Sequence, residues 1–509
     1  MKCKRETVTA VTTLFAALAM PVCMAAQDNP KPEDKANHRR YRLVDLGTFG
    51  GPSSTFQNPL ARVLTNSGTA VGGADTAKPD PSHPCVNPFA ASDCFIQHAF
   101  RWQTGTLTDL GALPGGNFSL PLWIAEGGQI AGGSENGLTD PLTGAPEIRA
   151  VLWNDRNIID LGTLGGTQSL AIAVNKHGQV IGASNNSVPD PFSVAAVVDA
   201  FPSTTQTRAF LWQQGRGMQD LGTLGGPDAF AQFVNDRGQV AGFSYTTGTP
   251  DPNTGIPPVH PFLWEDGKMV DIGTLGGAFG LVDDLNNRGQ VVGPMDLAGD
   301  QTFHPYLWEH GKLSDLGTFG GSNGESFWIN EAGEVVGWAE YNIPCGGCAE
   351  PGNQVYHAAL WKHAAIADLG TVKGDKCSVA FSINSETQVV GTSGICHGGL
   401  HAFLWEDGGP MIDLNTLIHP GSGLQLKLAV YINDSGEIAG IGVLPNGDTR
   451  AVLLIPCNQG PCETIQGNPP LPVMQSPATM NDANPAPVPP AARAPRHYST
   501  GRREIWPNR

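Results

Sequence analysis

Charge is scarce in this 509-residue chain, with 15% Asp, Glu, Lys and Arg, and so are aromatic side chains at 7%. Beyond the first 26 residues no apolar run is long enough to cross a bilayer as a helix, so no membrane span is expected. Lys and Arg (30) are outnumbered by Asp and Glu (47), for a net charge of −17, a surface that repels phosphate backbones and excludes nucleic acid as partner. No Gly-rich phosphate loop opens a helix, no spaced Asp-x-Asp-x-Asp loop offers calcium its oxygen ligands, and no local nucleophile and base motif stands out. No catalytic residue, metal or cofactor is therefore assigned.

What is abundant is glycine (65) and proline (41), the composition of many short strands joined by turns. Residues 1–26 pair Lys2, Lys4 and Arg5 with the apolar run Val8 to Met20 and small residues at Ala25 and Ala26, the pattern of a secretory signal peptide. Its removal takes Lys2, Lys4, Arg5 and Glu6, so −17 becomes −19. Residues 27–40 read as a polar linker. The expected location is secreted or periplasmic, where thiols oxidise. Eight cysteines remain, in four couples close in sequence. Short loops close most readily, so the expected pairs are Cys85 with Cys94, Cys345 with Cys348, Cys377 with Cys396, and Cys457 with Cys462. Cys345-Gly-Gly-Cys348 has redox spacing, but its Pro- and Gly-rich setting lacks the helix that lowers a thiol pKa, and it reads as a loop staple.

The organising feature of residues 41–456 is an internal repeat. One copy runs Arg208-Ala-Phe-Leu-Trp212, Asp220-Leu-Gly-Thr-Leu-Gly-Gly226, Phe233-Val-Asn235 and Gly238-Gln-Val-Ala-Gly242. Its aspartate recurs eight times, at Asp45, Asp109, Asp160, Asp220, Asp271, Asp315, Asp368 and Asp413. Its tryptophan recurs seven times, at Trp102, Trp153, Trp212, Trp264, Trp308, Trp361 and Trp405. The missing partner is supplied by the ends: the chain enters the pattern at Tyr41 without an aromatic strand and leaves it with the aromatic-type strand Arg450–Ile455. Four candidate strands per unit (the aromatic block, the Asp-Leu-Gly-Thr block, the stretch ending in Val-Asn or Ile-Asn, and the Gln-Val-Val-Gly block) match the blade of a β-propeller. The expected fold is all-β, eight four-stranded blades, one shared between N- and C-terminal strands, which removes exposed sheet edges.

The repeated Asp faces a repeated basic series, His98, Arg149, Arg208, His260, His304, His357, His401 and Arg450. Arginine does not ligate metals, so pairing of each basic residue with its unit's Asp is the reading that covers both series. Unit two has Glu126 where Asn is usual, unit seven has Lys373-Gly374 for Gly-Gly, and unit eight has Asn415-Thr-Leu and no Gly-Gly.

The run His401-Ala-Phe-Leu-Trp405, followed by Asp-Leu, Ile432-Asn433 and Gly436-Glu-Ile-Ala-Gly440, closely resembles the HAF repeats of bacterial extracellular proteins, over about Tyr41 to Pro456. In its Gly-Gly and Trp placement it is distantly similar to kelch-type propeller repeats. The resemblance implies an exported bacterial repeat protein and adds no activity.

Variable segments at one topological position, 74–97, 135–148, 185–207, 245–259 and 340–356, are expected on one side of the ring, where long loops on a rigid scaffold carry binding. They contain the turn aspartates Asp80, Asp140, Asp190 and Asp251, each beside proline. The expected role is a non-enzymatic scaffold that binds a protein or glycan through these loops; the alternatives are a propeller enzyme acting on polysaccharide and a structural envelope component. Residues 457–509 read as a Cys-stapled end and a Pro-rich disordered tail.

Overall fold

The aromatic block is apolar on alternate and intervening residues alike, and the structure shows why. In the strand Thr205–Gln213, Phe210 and Trp212 pack with Ala150 and Leu152 of the preceding sheet, whereas Ala209 and Leu211 pack with Val234 and Phe262 of the following one. A strand buried on both faces needs side chains on both. The computed structural model describes residues 40–56, 61–81, 94–154, 157–198, 200–346, 354–363, 365–396, 398–406, 408–457 and 462. The leader, most of the linker, Cys85, Cys348 and the tail from residue 463 lie outside the described residues.

The described chain is all-β apart from one short helix and one 3-10 turn. It forms six four-stranded antiparallel sheets and one nine-stranded sheet. A representative sheet runs Ser169–Val174, Val180–Pro189, Thr205–Gln213, Gly217–Asp220, hydrogen-bonded in that order. In the nine-stranded sheet, the four strands from Ala229 to Asp271 meet the five from Gly276 to Asp315 through a single parallel bridge, Val259 to Phe279. Successive sheets pack face to face, and the strand Gly50–Thr55 packs on Thr449–Pro456, so the series closes on itself. The strand Tyr41–Asp45 supplies the fourth strand of the last sheet: Tyr41 lies opposite Pro456 and Asp45 opposite Val452.

The phase of the repeat differs from expectation. The Asp-Leu-Gly-Thr block is a connector, and the strand is the four residues that end at the Asp. At Asp220 the carboxylate accepts the N–H of Gly222 at 2.8 Å, and Gly222 adopts a φ of +87°, which turns the chain out of the sheet. Gly-Gly completes the crossing: Gly165 sits at φ +107°, and a Cβ on Gly166 would lie 2.7 Å from the carbonyl oxygen of Asn186. Each sheet therefore takes two strands from one sequence unit and two from the next.

Asparagine ends the first strand of most sheets, and its side chain joins that sheet to its neighbour. Asn175 Nδ2 donates to the Asn235 carbonyl at 2.9 Å, Asn235 to Asn286, Asn286 to Asn330, Asn330 to Asn384, Asn384 to Asn433, and Asn433 to the Thr65 carbonyl at 2.9 Å. Each Asn Oδ1 also accepts N–H groups two and four residues on within its own turn, as at Asn286. The belt is interrupted in unit two, and the register corrects the sequence reading there: Ala125, bonded to Gln129 as Asn175 is to Gln179, occupies the asparagine position, and Glu126 the next. Glu126 instead pairs with Arg62 and accepts the Asn66 N–H, restoring a link between neighbouring turns.

The axis of the ring is filled. Six first strands carry a bulge three residues before the turn, at Leu122, Ile172, Gln232, Phe327, Phe381 and Val430. The residues that follow four of these bulges meet across the axis: Trp123 stacks on Trp328 at 6.3 Å and meets Phe233 edge-on, and Trp328 meets Tyr431 edge-on at 5.2 Å. Trp123 packs against four separate core clusters. At the same position Asp284 is buried, which pushes its carboxyl up to about 7 despite the Ile329 and Leu285 N–H groups it accepts.

Replacing Asn286 by Ala takes from the buried Asn330 carbonyl its donor across the sheet junction, leaving it only the Gly333 N–H of its own turn, and leaves the Arg288 and Gln290 N–H groups without their Asn286 acceptor. A loss of about 3 kcal/mol is expected in chemical denaturation, against under about 0.5 kcal/mol for the exposed Asn446→Ala.

Candidate interaction face

The asparagine belt places all the linked first turns at one end of the ring. In antiparallel meanders the connections from second to third strand then leave from the opposite end, together with the sheet-to-sheet connectors. This is the face of the variable segments. In four of these segments the second strand runs long: Ala70–Pro79, Ile130–Thr139, Val180–Pro189 and Val335–Pro344 are each ten residues long, and their last three residues are exposed beyond the packed core.

The predicted turn aspartates lie at the bases of the hairpin tips. Asp80 N–H donates to Cys94, Asp140 to Ala145, Asp190 to Thr204 and Asp251 to Ile256, always to the carbonyl. Asp140 accepts the Leu142 N–H, Asp190 that of Phe192, and Asp251 those of Asn253 and Thr254. Asp80, Asp140 and Asp190 are buried. Their carboxylates shape the tips and do not face outward.

Among the side chains that face outward are large apolar ones. Among the described residues seven large hydrophobic side chains are exposed, and six of them (Leu138, Leu142, Val188, Val197, Ile343 and Ile395) lie on second-to-third-strand connections of this face. Leu142 is 65% and Leu138 61% exposed; the seventh, Val270, is on an outer strand. Sequence reasoning missed these residues because single Leu or Val residues in Pro- and Gly-rich segments carry no periodicity. Their shared topological position was the available signal.

The rim of the same face carries the basic and acidic series. His98 pairs with Asp109 at 2.9 Å, Arg208 with Asp220 at 2.9 Å, and the same pairing holds for Arg149 with Asp160, His260 with Asp271, His304 with Asp315, His357 with Asp368 and Arg450 with Asp45. Burial pushes the Asp109 carboxyl up, but its bonds from His98 and the Gly111 N–H outweigh that and hold it below the ordinary range. Unit eight departs: His401 pairs with Asp375 at 2.9 Å, and Asp413 accepts the Asn415 N–H. Among the described residues no three His, Cys, Asp or Glu side chains are grouped to hold a metal.

Cys377 bonds to Cys396, tying a first strand to a connection of this face, and Cys457 bonds to Cys462. Cys94 and Cys345 are also disulfide-bonded; Cys85 and Cys348, their expected partners, lie outside the described residues.

Beneath the insert that carries the helix Val194–Val197 lies Asp228, fully buried. It accepts the Val194 N–H at 2.6 Å and the Thr207 N–H at 3.0 Å. Burial, reinforced by Asp190, pushes its carboxyl up to about 8 against those two bonds, so it is protonated at neutral pH.

No family model and no curated protein matches this chain. Solved structures similar to it include the β-propeller domain of the Trilobed protease from Pyrococcus furiosus (8% identity, TM-score 0.39, 74% of this chain and 98% of that one). A Mycobacterium tuberculosis puromycin-hydrolyzing peptidase matches at 14% identity and TM-score 0.39, over 84% of this chain and 57% of that one. A polysaccharide lyase of family PL25, an ulvan lyase, matches at 10% identity and TM-score 0.36, over 82% of this chain and 96% of that one. The ring architecture itself rests on the strand pairing and sheet packing described above.

A carboxyl that is protonated when folded and ionised when unfolded stabilises the fold at low pH and less as pH rises. The Asp228 contribution is therefore expected to decline from about pH 4 to about pH 8. Protection factors at Val194–Val197, taken relative to the intrinsic base-catalysed rate at each pH, should fall over that interval. In Asp228→Asn that fall should vanish, although one lost acceptor lowers protection at every pH.

Proposed function

We propose that this chain is an exported, eight-bladed β-propeller of the HAF-repeat type that acts as a non-enzymatic scaffold, binding a protein or a glycan through the hairpins of one face. The eight blades are the six four-stranded sheets and the two halves of the nine-stranded sheet. Export is supported by the leader-like residues 1–26 and by the oxidised cysteines. The observation that carries the binding reading is that six of the seven exposed large aliphatic side chains among the described residues lie on this one face, spread over four sheets, where a partner laid on the face would cover them. The aromatic contact across the axis supports it further, because it obstructs passage through the ring at that level.

The test is to probe printed glycan and secreted-protein arrays with the full chain. Binding to at least one array is expected, reduced about tenfold or more by Leu138→Asp with Leu142→Asp and, separately, by Ile343→Asp. Val270→Asp, away from the face, should leave it unchanged. Absence of signal on both arrays, or a signal indifferent to the face substitutions, overturns the reading.

A further inference from the structure

The departures from the repeat, scattered in sequence, converge in space. Unit seven replaces Gly-Gly by Lys373-Gly374, and the next residue is Asp375, whose side chain is only 6% exposed. His401 abandons the partner its seven counterparts keep and turns to Asp375. The unit-eight connector has no Gly-Gly and runs instead through a 3-10 turn, Leu414–Thr416, and the segment His419-Pro-Gly-Ser-Gly423. His401, Asp413 and this connector line one open cleft of about 510 Å³, closed on its other side by Val443, Leu444 and Pro445. The connector and the 443–445 segment both belong to the hairpin end of the ring.

The chemistry of the cleft follows from the exchanged partner. A carboxylate oxygen accepts from the imidazole, so the neutral tautomer that fits this bond carries its hydrogen on Nδ1 and presents Nε2 as an acceptor. Asp413, released from the basic partner its counterparts have, spends Oδ1 on the Asn415 N–H and amide and adds a carboxylate to the same cleft. In the other seven units the basic residue and the aspartate bond each other, whereas here they are bonded to different partners and both line the cleft. Two acceptors that line one cleft together with Ile418 and Leu424 suit a ligand that presents several O–H donors and an apolar ring face. A net charge of −17 disfavours an anion.

We propose that this cleft is a binding site for a neutral sugar residue, with His401 Nε2 and the Asp413 carboxylate accepting hydroxyl protons and Asp375 positioning the imidazole. The site lies on the face assigned above to binding and rests on that reading for its exposure, but it uses different residues, so the two fail separately.

The experiment titrates the full chain, by calorimetry and saturation-transfer NMR, with the methyl glycosides of glucose, galactose, mannose and N-acetylglucosamine, and with glucuronic acid and spermidine. At least one neutral glycoside should bind, and neither charged probe should bind as tightly. His401→Leu and Asp413→Asn should each weaken the glycoside by about tenfold or more, whereas His401→Gln, which keeps an acceptor, should restore it to within about threefold. Asp375→Ala should weaken it while the circular dichroism melt of His401→Leu stays that of the parent. Leu138→Asp with Leu142→Asp should leave the glycoside affinity unchanged. No binding by any neutral glycoside, preferential binding of spermidine or glucuronic acid, or indifference to His401→Leu and Asp413→Asn refutes the site.

Discussion

The hydrogen bond from each turn asparagine to the next sheet's carbonyl is the interaction on which the rest of the ring depends. Side-chain packing between sheets is broad but tolerates sliding, because aliphatic contacts have little direction. A buried amide is different: its donors and its acceptor must all be satisfied at fixed geometry, or the desolvation cost remains. Asn175, Asn235, Asn286, Asn330, Asn384 and Asn433 each satisfy theirs by holding their own turn with Oδ1 and the neighbour's backbone with Nδ2. This sets the height of each sheet they join relative to the next. It also defines which end of the ring is stitched and which end is left to vary.

That division explains where chemistry is found. At the stitched end and along the axis, polar groups are consumed by structure and the interior is closed by Trp123, Phe233, Trp328 and Tyr431. At the opposite end the hairpins rise clear of the core, carry aliphatic side chains at their tips, and rest on buried acids such as Asp228. The paired His or Arg and Asp of the rim bond one another at partly exposed sites, where such pairs add little stability. Their uniformity makes the exchanged partner of His401 legible as a local change of use.

Much of this was written in the sequence, because a repeat prints its strands several times. The aromatic strand, the turn asparagines, the Gly-Gly crossing and the pairing of the two chain ends all follow from residues such as Phe210, Asn235, Gly165 and Tyr41. The phase of the blade did not, since Asp220-Leu-Gly-Thr has β-like composition and only its Asx turn reveals that the strand has ended. The axial plug was hidden for another reason: Trp123 occupies the position of Ala173 in the next unit, and a bulge, invisible in sequence, decides which side chain turns inward. The cleft at His401 required Asp375, Asp413 and Val443 to meet, which is a long-range fact that no local pattern encodes.

The pairing of Tyr41–Asp45 with Thr449–Pro456 has a temporal meaning. Some four hundred residues separate the two strands, so Tyr41–Asp45 waits for the rest of the ring to emerge before it has a partner. Until then both ends of the nascent array are open edges, and a contact of such sequence separation is of the slow-forming kind. Sealing thus comes after the intervening sheets have formed, and the interval before it is when a holdase has most to protect.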